Sequence, residues 1–185
     1  MDADVLEQAQ QAAKAVLANV TADQLDLSTP CEGWKVAQLI DHMVGTQHWA
    51  HTAITGAESG PTGEGASGGD FHAAFDEAAA QNVAAFREDG ALERTVNPGF
   101  GDMPGAALLG IAATDTFTHA WDLATATGQD NDLDPALAAR LLERARQTIP
   151  PAFRTEDGSI FKPEQPAPEG ANNATRLAAF LGRTV

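Results

Sequence analysis

The chain lacks tyrosine, holds a single cysteine and carries few basic residues. Because Cys31 has no second cysteine to pair with, an internal disulfide is excluded and no oxidising compartment is implied. Against 26 acidic residues there are 11 lysines and arginines, which gives a net charge of −15. This charge argues against nucleic acid and anionic membrane surfaces as partners, since both are bound mainly through basic side chains. The acidic residues are scattered, as on a solvated surface.

Long hydrophobic runs are also missing. No apolar stretch reaches the roughly 20 residues that a membrane-spanning helix needs. The first residues, MDAD, are acidic where a secretory signal would be basic. We therefore expect a soluble, cytoplasmic protein. Its 185 residues predict a single domain, 1–185, with a sizeable core, and abundant alanine with few aromatic residues favours packed helices over sheets.

Apolar residues recur at helical spacing along most of the chain. The predicted helices span residues 2–19, 35–55, 104–126 and 135–148, with another from Phe71 to Phe86 that Asp70 caps and a short one at 174–181. Pro104 suits the first turn of its helix, and residues 94–96 form at most a short extended piece. Four long helices allow an antiparallel bundle, whose interior is a common place for metal ligands.

Two segments are predicted to be irregular. Residues 56–69 contain six glycines and predict a flexible loop, which serves either as a mobile lid or as slack between helices. Residues 151–171 are rich in proline and glutamate and predict an irregular C-terminal strap.

One helix carries the residues with the most distinctive chemistry. Asp115 and His119 stand four residues apart, so both side chains lie on one helical face, about one turn apart. Asp115 has apolar neighbours, and helix 104–126 contains no lysine or arginine, so the carboxylate lacks a basic partner within its own turns. A third candidate, His42, lies off the main apolar stripe of helix 35–55, in line with Thr46 and Trp49. A side chain there could face a cavity between helices.

His42, Asp115 and His119 together could form a metal site. Two imidazoles and one carboxylate suit Zn²⁺, and also Ni²⁺, Mn²⁺ or Fe²⁺. Three protein ligands leave a position for water or substrate, as in a catalytic site, where the ion lowers the pKa of bound water or of a bound thiol. The alternative interpretation is structural: a local hydrogen bond between Asp115 and His119, with His42 packed in the core.

The remaining polar candidates carry weaker signals. Asp122 lies three residues after His119 on much the same face, so it either orients His119, supplies a ligand itself or bonds to a neighbouring loop. Cys31 has no histidine near it in sequence, and no reactive thiolate is predicted. Three further histidines are expected at the surface or in packing contacts: His48, His51 and His72. Neither a Gly-x-Ser-x-Gly elbow nor a phosphate-binding Gly-Lys-Ser/Thr loop is present in the sequence.

Six segments carry a family resemblance. They are STPCEGWKV at residues 28–36, LIDHMVG at 39–45, and residues 100–105, 115–123, 126–129 and 176–183. Together they resemble DinB-like metal-binding proteins, and among these the mycothiol-dependent maleylpyruvate isomerase N-terminal family. The resemblance covers nearly the whole chain.

This resemblance implies an all-α, DinB/YfiT-like four-helix bundle with short extra helices. It also implies a divalent metal, usually zinc, held by a histidine of the second helix and a carboxylate-x-x-x-histidine pair of a later helix. On this chain those positions are His42, Asp115 and His119. Some relatives use the metal to activate the thiol of mycothiol or bacillithiol. The isomerase itself differs in having glutamate at the position of Asp115 and a further C-terminal domain with a basic substrate-binding residue.

The residues and the resemblance together favour a metal-dependent enzyme that activates a small thiol. It would be a mycothiol-type transferase or isomerase that acts on a small-molecule substrate, as a monomer or homodimer. A metal-dependent hydrolase, which would activate water instead, is the first alternative. A non-catalytic metal-binding or small-molecule-binding protein is the second, because no obvious general acid or basic clamp accompanies the ligands.

Overall fold

The helices of the chain follow the apolar pattern of its sequence closely. The computed structural model describes residues 1–155 and 161–185. In these residues the elements are α1 (Ala3–Leu17), α2 (Val36–Thr55), α3 (Phe71–Phe86), β1 (Thr95–Val96), β2 (Met103–Pro104), α4 (Gly105–Ala126), α5 (Pro135–Thr148) and α6 (Asn173–Phe180). Short 3₁₀ turns lie at Ala22–Gln24, Ala66–Gly68 and Pro151–Phe153. None of the helices in this part of the chain is long and apolar enough to span a membrane.

Helices α1 to α4 form a four-helix bundle, which confirms the predicted all-α fold. α1 packs against α3 and α4, and α2 packs against the same two helices. α5 and α6 pack on each other beside the bundle, and both contact α4. The core side chains are mostly alanine, leucine, valine and phenylalanine, and Ala9, Ile40 and Phe117 have no exposed surface. Small residues let the helices approach closely, while the larger ones fill the space between them.

Capping side chains mark the starts of α3, α5 and α6. The Asp70 carboxylate accepts a hydrogen bond from the backbone N–H of Ala73, and Asp134 caps α5 in the same way. The prediction that Pro104 lies in the first turn of α4 is wrong. Pro104 is the extended residue before the helix and pairs with Thr95 in the antiparallel ribbon of β1 and β2. This ribbon contains the short extended piece expected near residues 94–96.

A buried polar network fixes how the four bundle helices are rotated against one another. The Gln47 side chain of α2 accepts hydrogen bonds from Gln10 of α1 (2.9 Å) and Asn82 of α3 (3.0 Å). Its amide nitrogen donates to the Thr116 hydroxyl of α4 at 2.8 Å. Because buried polar groups are costly without partners, this network favours one register of the helices. Thr116 directly follows Asp115, so the network also helps to aim the adjacent carboxylate.

The second half of the glycine-rich loop 56–69 lies against α2. The Asp41 carboxylate accepts hydrogen bonds from the backbone N–H groups of Gly65 (3.2 Å) and Ser67 (2.7 Å). Gly63 rests directly on Gly45 of α2, and a Cβ atom on Gly63 would overlap the Asp41 carbonyl oxygen. The flexibility expected from the composition stays a prediction. In the arrangement described here the loop forms one wall beside His42 of the same helix.

Arg154, which follows α5, connects the C-terminal segment to the end of α6. The Arg154 guanidinium donates hydrogen bonds to the carbonyl oxygens of Lys162 (3.1 Å) and Phe180 (2.8 Å) and lies over the Phe180 ring. Residues 156–160 of the predicted strap lie outside the described residues. After α6 the chain turns at Gly182, which has a positive φ of 93°, and this turn directs Arg183 toward the bundle.

Candidate metal centre

Two helices bring the three candidate ligands together. α2 contributes His42, and α4 contributes Asp115 and His119 from one face. The Asp115 Oδ1 atom lies 3.6 Å from Nε2 of His42 and 3.5 Å from Nε2 of His119. One ligand atom from each of the three residues lies within 4.8 Å of the others. These separations are suited to three donors around one cation, because bond lengths of about 2.0–2.2 Å place neighbouring ligand atoms roughly 3–4 Å apart.

The unsatisfied oxygen of Asp115 indicates that a cation fits this site. Asp115 Oδ2 is buried and has no hydrogen-bond partner in the structure. The ion pairs of Asp115 within residues 1–155 and 161–185 are with His42 and His119, not with lysine or arginine. A buried carboxylate oxygen without a donor is costly, and a metal ion would satisfy it. The imidazole nitrogens and carboxylate oxygen are also the ligands that zinc and similar ions prefer.

Asp115 and His119 shift each other's pKa. Burial alone would raise the pKa of the Asp115 carboxyl, but His119 and His42 beside it hold this pKa well below its ordinary value. Burial alone would lower the pKa of His119, but Asp115, and then Asp122 and Cys31, raise it well above its ordinary value. Without a metal, the site therefore retains a proton on His119 between two carboxylates. A metal ion must displace that proton.

Asp122 holds the far side of the His119 ring. Its Oδ2 atom lies 2.9 Å from His119 Nδ1, and the Asp122 side chain has no exposed surface. The Arg183 guanidinium donates to both oxygens, with Nη2 to Oδ2 at 2.9 Å and Nε to Oδ1 at 3.3 Å. Burial would raise the pKa of Asp122, but His119 and Arg183 lower it. Asp122 therefore stays ionised and can accept the Nδ1–H of a His119 whose Nε2 faces Asp115.

The turn before α2 delivers two more side chains to the centre. The Thr29 hydroxyl donates to the carbonyl oxygen of Trp34 (3.0 Å), and Gly33 allows the turn with a positive φ of 79°. Trp34 then packs against both imidazoles, with ring centroids 4.9 Å from His42, to which it is tilted, and 6.2 Å from His119, on which it stacks. The indole therefore occupies one side of the pair of imidazoles.

Cys31, from the same turn, lies closer to the centre than its sequence position indicated. Its Sγ atom is 3.2 Å from Asp122 Oδ2, to which the thiol donates, and 3.8 Å from His119 Nδ1. Cys31, His119 and Asp122 form a second group with metal-ligand geometry. The Asp122 carboxylate, however, is already neutralised by Arg183. A cation would have to displace that arginine, so His42, Asp115 and His119 form the better metal site.

A groove of about 550 Å³ opens beside the centre. His42 and Asp115 line its inner end, and Thr46 lies next to them with its hydroxyl 3.2 Å from His42 Nε2. Trp49 and Phe100 form one side, with ring centroids 6.2 Å apart. The sequence predicted that His42 could face a cavity, and the structure places it in one. Phe100 and Trp34 were not among the predicted site residues, because both lie in irregular segments without periodicity.

Three histidines take no part in the two ligand groups found among the described residues. They are His48, His51 and His72. His72 is exposed at the start of α3, and the other two are partly exposed on α2. Burial is the largest influence on His48 and lowers its pKa. Their predicted place in surface or packing positions agrees with this arrangement.

The bundle and the ligand geometry define a DinB-like helical protein with a candidate divalent-metal centre. The family model of the mycothiol maleylpyruvate isomerase N-terminal domain matches residues 6–124, and the chain belongs to this family. It is 43% identical over 183 residues to the uncharacterized proteins MT0763 and Rv0738, from two strains of Mycobacterium tuberculosis. That similarity covers 97% of this chain and 96% of each relative.

Crystal structures share the fold at lower sequence identity. The mycothiol-dependent maleylpyruvate isomerase superposes with a TM-score of 0.58 at 19% identity, over 76% of this chain. A histidine-to-alanine mutant of that isomerase gives a TM-score of 0.55 at 17% identity. The match spans 65% of the length of the crystallised isomerase chain. These structures establish the common helical fold.

Proposed function

We propose that the protein is a metal-dependent enzyme that activates a small thiol of the mycothiol type. The observation that carries this proposal is the Asp115 carboxylate, whose buried Oδ2 lacks a partner while its Oδ1 lies between two imidazole nitrogens. The contacts of Asp115 with His42 and His119 use Oδ1 and leave Oδ2 unsatisfied, whereas a metal ion would satisfy it. The family membership supports the thiol chemistry, because the matching family model is that of the mycothiol maleylpyruvate isomerase N-terminal domain.

His42, Asp115 and His119 would hold the ion, with zinc as the preferred identity and nickel, manganese or iron(II) as alternatives. When bound, a divalent ion supplies a Lewis acid that lowers the pKa of a coordinated thiol toward neutrality. Three protein ligands leave room for that thiol.

The surrounding residues prepare the centre for this chemistry. Asp122 holds the proton on Nδ1 of His119, so Nε2 keeps its lone pair directed toward the site. Trp34 packs against the two imidazoles on one side and limits the directions from which a substrate can approach. The groove beside His42 and Asp115 is the remaining approach for a small substrate. The Thr46 hydroxyl lines the same groove and lies 3.2 Å from Nε2 of His42.

The reaction proposed is attack of the thiol sulfur on an electrophilic carbon. With an α,β-unsaturated ketone, the sulfur electron pair forms a new bond to the β-carbon, and the π pair of the double bond moves to the α-carbon. The α-carbon then takes the proton that the thiol has lost, so addition balances without another reactant. If the adduct loses the thiol after rotation about the former double bond, the same site performs cis–trans isomerisation.

A cobalt-substituted sample titrated with N-acetylcysteine tests the proposal. Sulfur bound to cobalt gives an intense charge-transfer absorption, which oxygen does not, so the proposed function predicts that this band appears and saturates. His119→Ala should abolish cobalt binding, whereas His72→Ala, at an exposed position outside the site, should behave as the wild type. Cobalt binding without the band would favour the water-activating hydrolase instead. Failure of cobalt to bind at all would reject both metal-dependent activities.

A further inference from the structure

The groove beside the metal centre has a strongly one-sided charge. Its described lining includes the carboxylates of Asp41, Glu64 and Asp115, and none of the lining residues within 1–155 and 161–185 is lysine or arginine. The five residues outside those ranges, EDGSI, contain no basic residue either. Two of these acids also have other contacts, Asp115 in the ligand set and Asp41 with the loop. A like-charged substrate would therefore be repelled at close range.

Among the described residues, the arginine that contacts the centre is not available to the groove. The Arg183 guanidinium is paired with both oxygens of buried Asp122, on the Nδ1 side of the His119 ring. The groove lies on the opposite side, where Nε2 of His119 faces Asp115. Asp115 and a deprotonated thiol together would offset the two positive charges of a divalent ion. The local field on a substrate in the groove is then set by Asp41 and Glu64.

Large apolar side chains supply the remaining contact surface. Phe100 is 65% exposed and Ile111 is 37% exposed, and both line the groove. The Trp49 indole nitrogen already donates to the carbonyl oxygen of Pro98 (2.9 Å), so Trp49 offers the groove its ring rather than a hydrogen bond. Exposed aromatic surface beside a polar centre is typical of a site that binds an apolar group.

We infer that the electrophile used by this enzyme is uncharged or cationic and carries an apolar group of about ring size, rather than being a dicarboxylate. This inference rests on the proposed function for the thiol chemistry, but its binding component does not depend on turnover. It places the apolar group against the surface formed by Trp49, Phe100 and Ile111, and the electrophilic carbon toward His42 and Asp115. It also separates this chain from an enzyme that selects its substrate through a basic clamp.

The binding test uses three unreactive ketones that differ only in charge. They are 4-phenylbutan-2-one and its para-carboxylate and para-trimethylammonium derivatives, measured by equilibrium dialysis against zinc-loaded protein containing N-acetylcysteine. The neutral and cationic ketones should bind about tenfold or more tightly than the carboxylate. Equal or tighter binding of the carboxylate would overturn the inference. So would failure of all three to bind at millimolar concentration.

Variants separate the charge from the apolar contact. Glu64→Lys should strengthen carboxylate binding several-fold and weaken the cationic ketone, whereas Glu143→Lys, exposed on α5, should change neither. Phe100→Ala should weaken the neutral ketone about tenfold, because the exposed ring is its largest contact. Unchanged affinity in both groove variants would contradict the assignment of this groove as the binding site.

The corresponding unsaturated ketones then test turnover with N-acetylcysteine. After division by each uncatalysed rate, kcat/KM should rank the neutral and cationic substrates above the carboxylate. If the ketones bind in the expected order but no substrate is turned over and no cobalt band forms, the proposed function fails while the binding inference stands. If the cobalt band forms and the carboxylate is the best substrate, only the inference fails.

Discussion

Removing Arg183 should destabilise the metal-free protein more than any other single change at a charged residue near the centre. Arg183→Met would delete both hydrogen bonds to Asp122 and leave its fully buried carboxylate with only His119 and Cys31 as partners. Breaking a buried ion pair by removing one partner costs about 3–5 kcal/mol, because the other charge remains buried. For a chain of this size that loss corresponds to a fall in Tm of about 6–20 °C.

The asymmetry between the two partners sharpens this prediction. Asp122→Asn should cost less, since the Arg183 side chain keeps 19% of its surface exposed and can turn toward water. The double variant should lie close to Asp122→Asn alone, so the two changes should be strongly non-additive. Asp122→Asn should also weaken zinc affinity about 10–100-fold, because His119 loses the acceptor that orients it.

These predictions form a double-mutant cycle of Arg183→Met and Asp122→Asn. Urea unfolding measures the free energy of unfolding of the metal-free wild type, the two single variants and the double variant. Arg176→Met, at an exposed position of α6, is the matched control and should change the free energy of unfolding by less than about 0.5 kcal/mol. The reasoning is refuted if Arg183→Met costs less than about 1 kcal/mol. It is equally refuted if the double variant shows the full sum of the two single losses.

Three other changes test the fold and the site. Gly63→Ala should weaken zinc-dependent thiol binding, because its Cβ would overlap the Asp41 carbonyl and push the loop from the groove, whereas Gly68→Ala meets only open space and should be neutral. Gln47→Leu should cost about 2–4 kcal/mol in thermal unfolding, because three buried polar partners lose their common bond; an unchanged Tm would contradict the network. Because the pKa of His119 is raised in the folded state, protonated His119 should stabilise the metal-free protein. This stabilisation should be fully present below pH 6.5 and should be lost as the pH rises through the folded pKa. Zinc affinity should rise over that same upper range, because the metal displaces the proton, and His72→Gln should leave both profiles unchanged.

The bundle could be predicted because apolar residues recur at helical spacing in an amphipathic helix. The apolar spacing of α2 and α4 and the caps Asp70 and Asp134 located the helices to within one or two residues. The strand of Met103 and Pro104 could not be predicted in this way. Two residues are too few to establish a period, and proline is enriched at the first helical position, which favoured the wrong assignment of Pro104.

The candidate site was predictable only in part. The spacing of Asp115 and His119 places them on one face whatever the tertiary structure, and His42 could be proposed because it lies beside the apolar stripe of α2. The contacts of Cys31 and Arg183 with α4 could not be foreseen. Cys31 lies 88 positions from His119 in sequence, and Arg183 lies 61 positions from Asp122. Such contacts depend on how the turn before α2 and the end of α6 fold back, which periodicity does not encode.

The metal itself provides the most direct test of the central proposal. Protein purified without chelators should contain about one equivalent of zinc or a similar ion, and anomalous scattering at the metal edge should give one peak about 2.0–2.2 Å from His42, Asp115 and His119. His42→Ala and His119→Ala should each lose that metal, whereas His72→Ala should retain it. A metal content below about a tenth of an equivalent without uptake on reconstitution, or a peak beside Cys31 and Asp122 instead, would contradict the account.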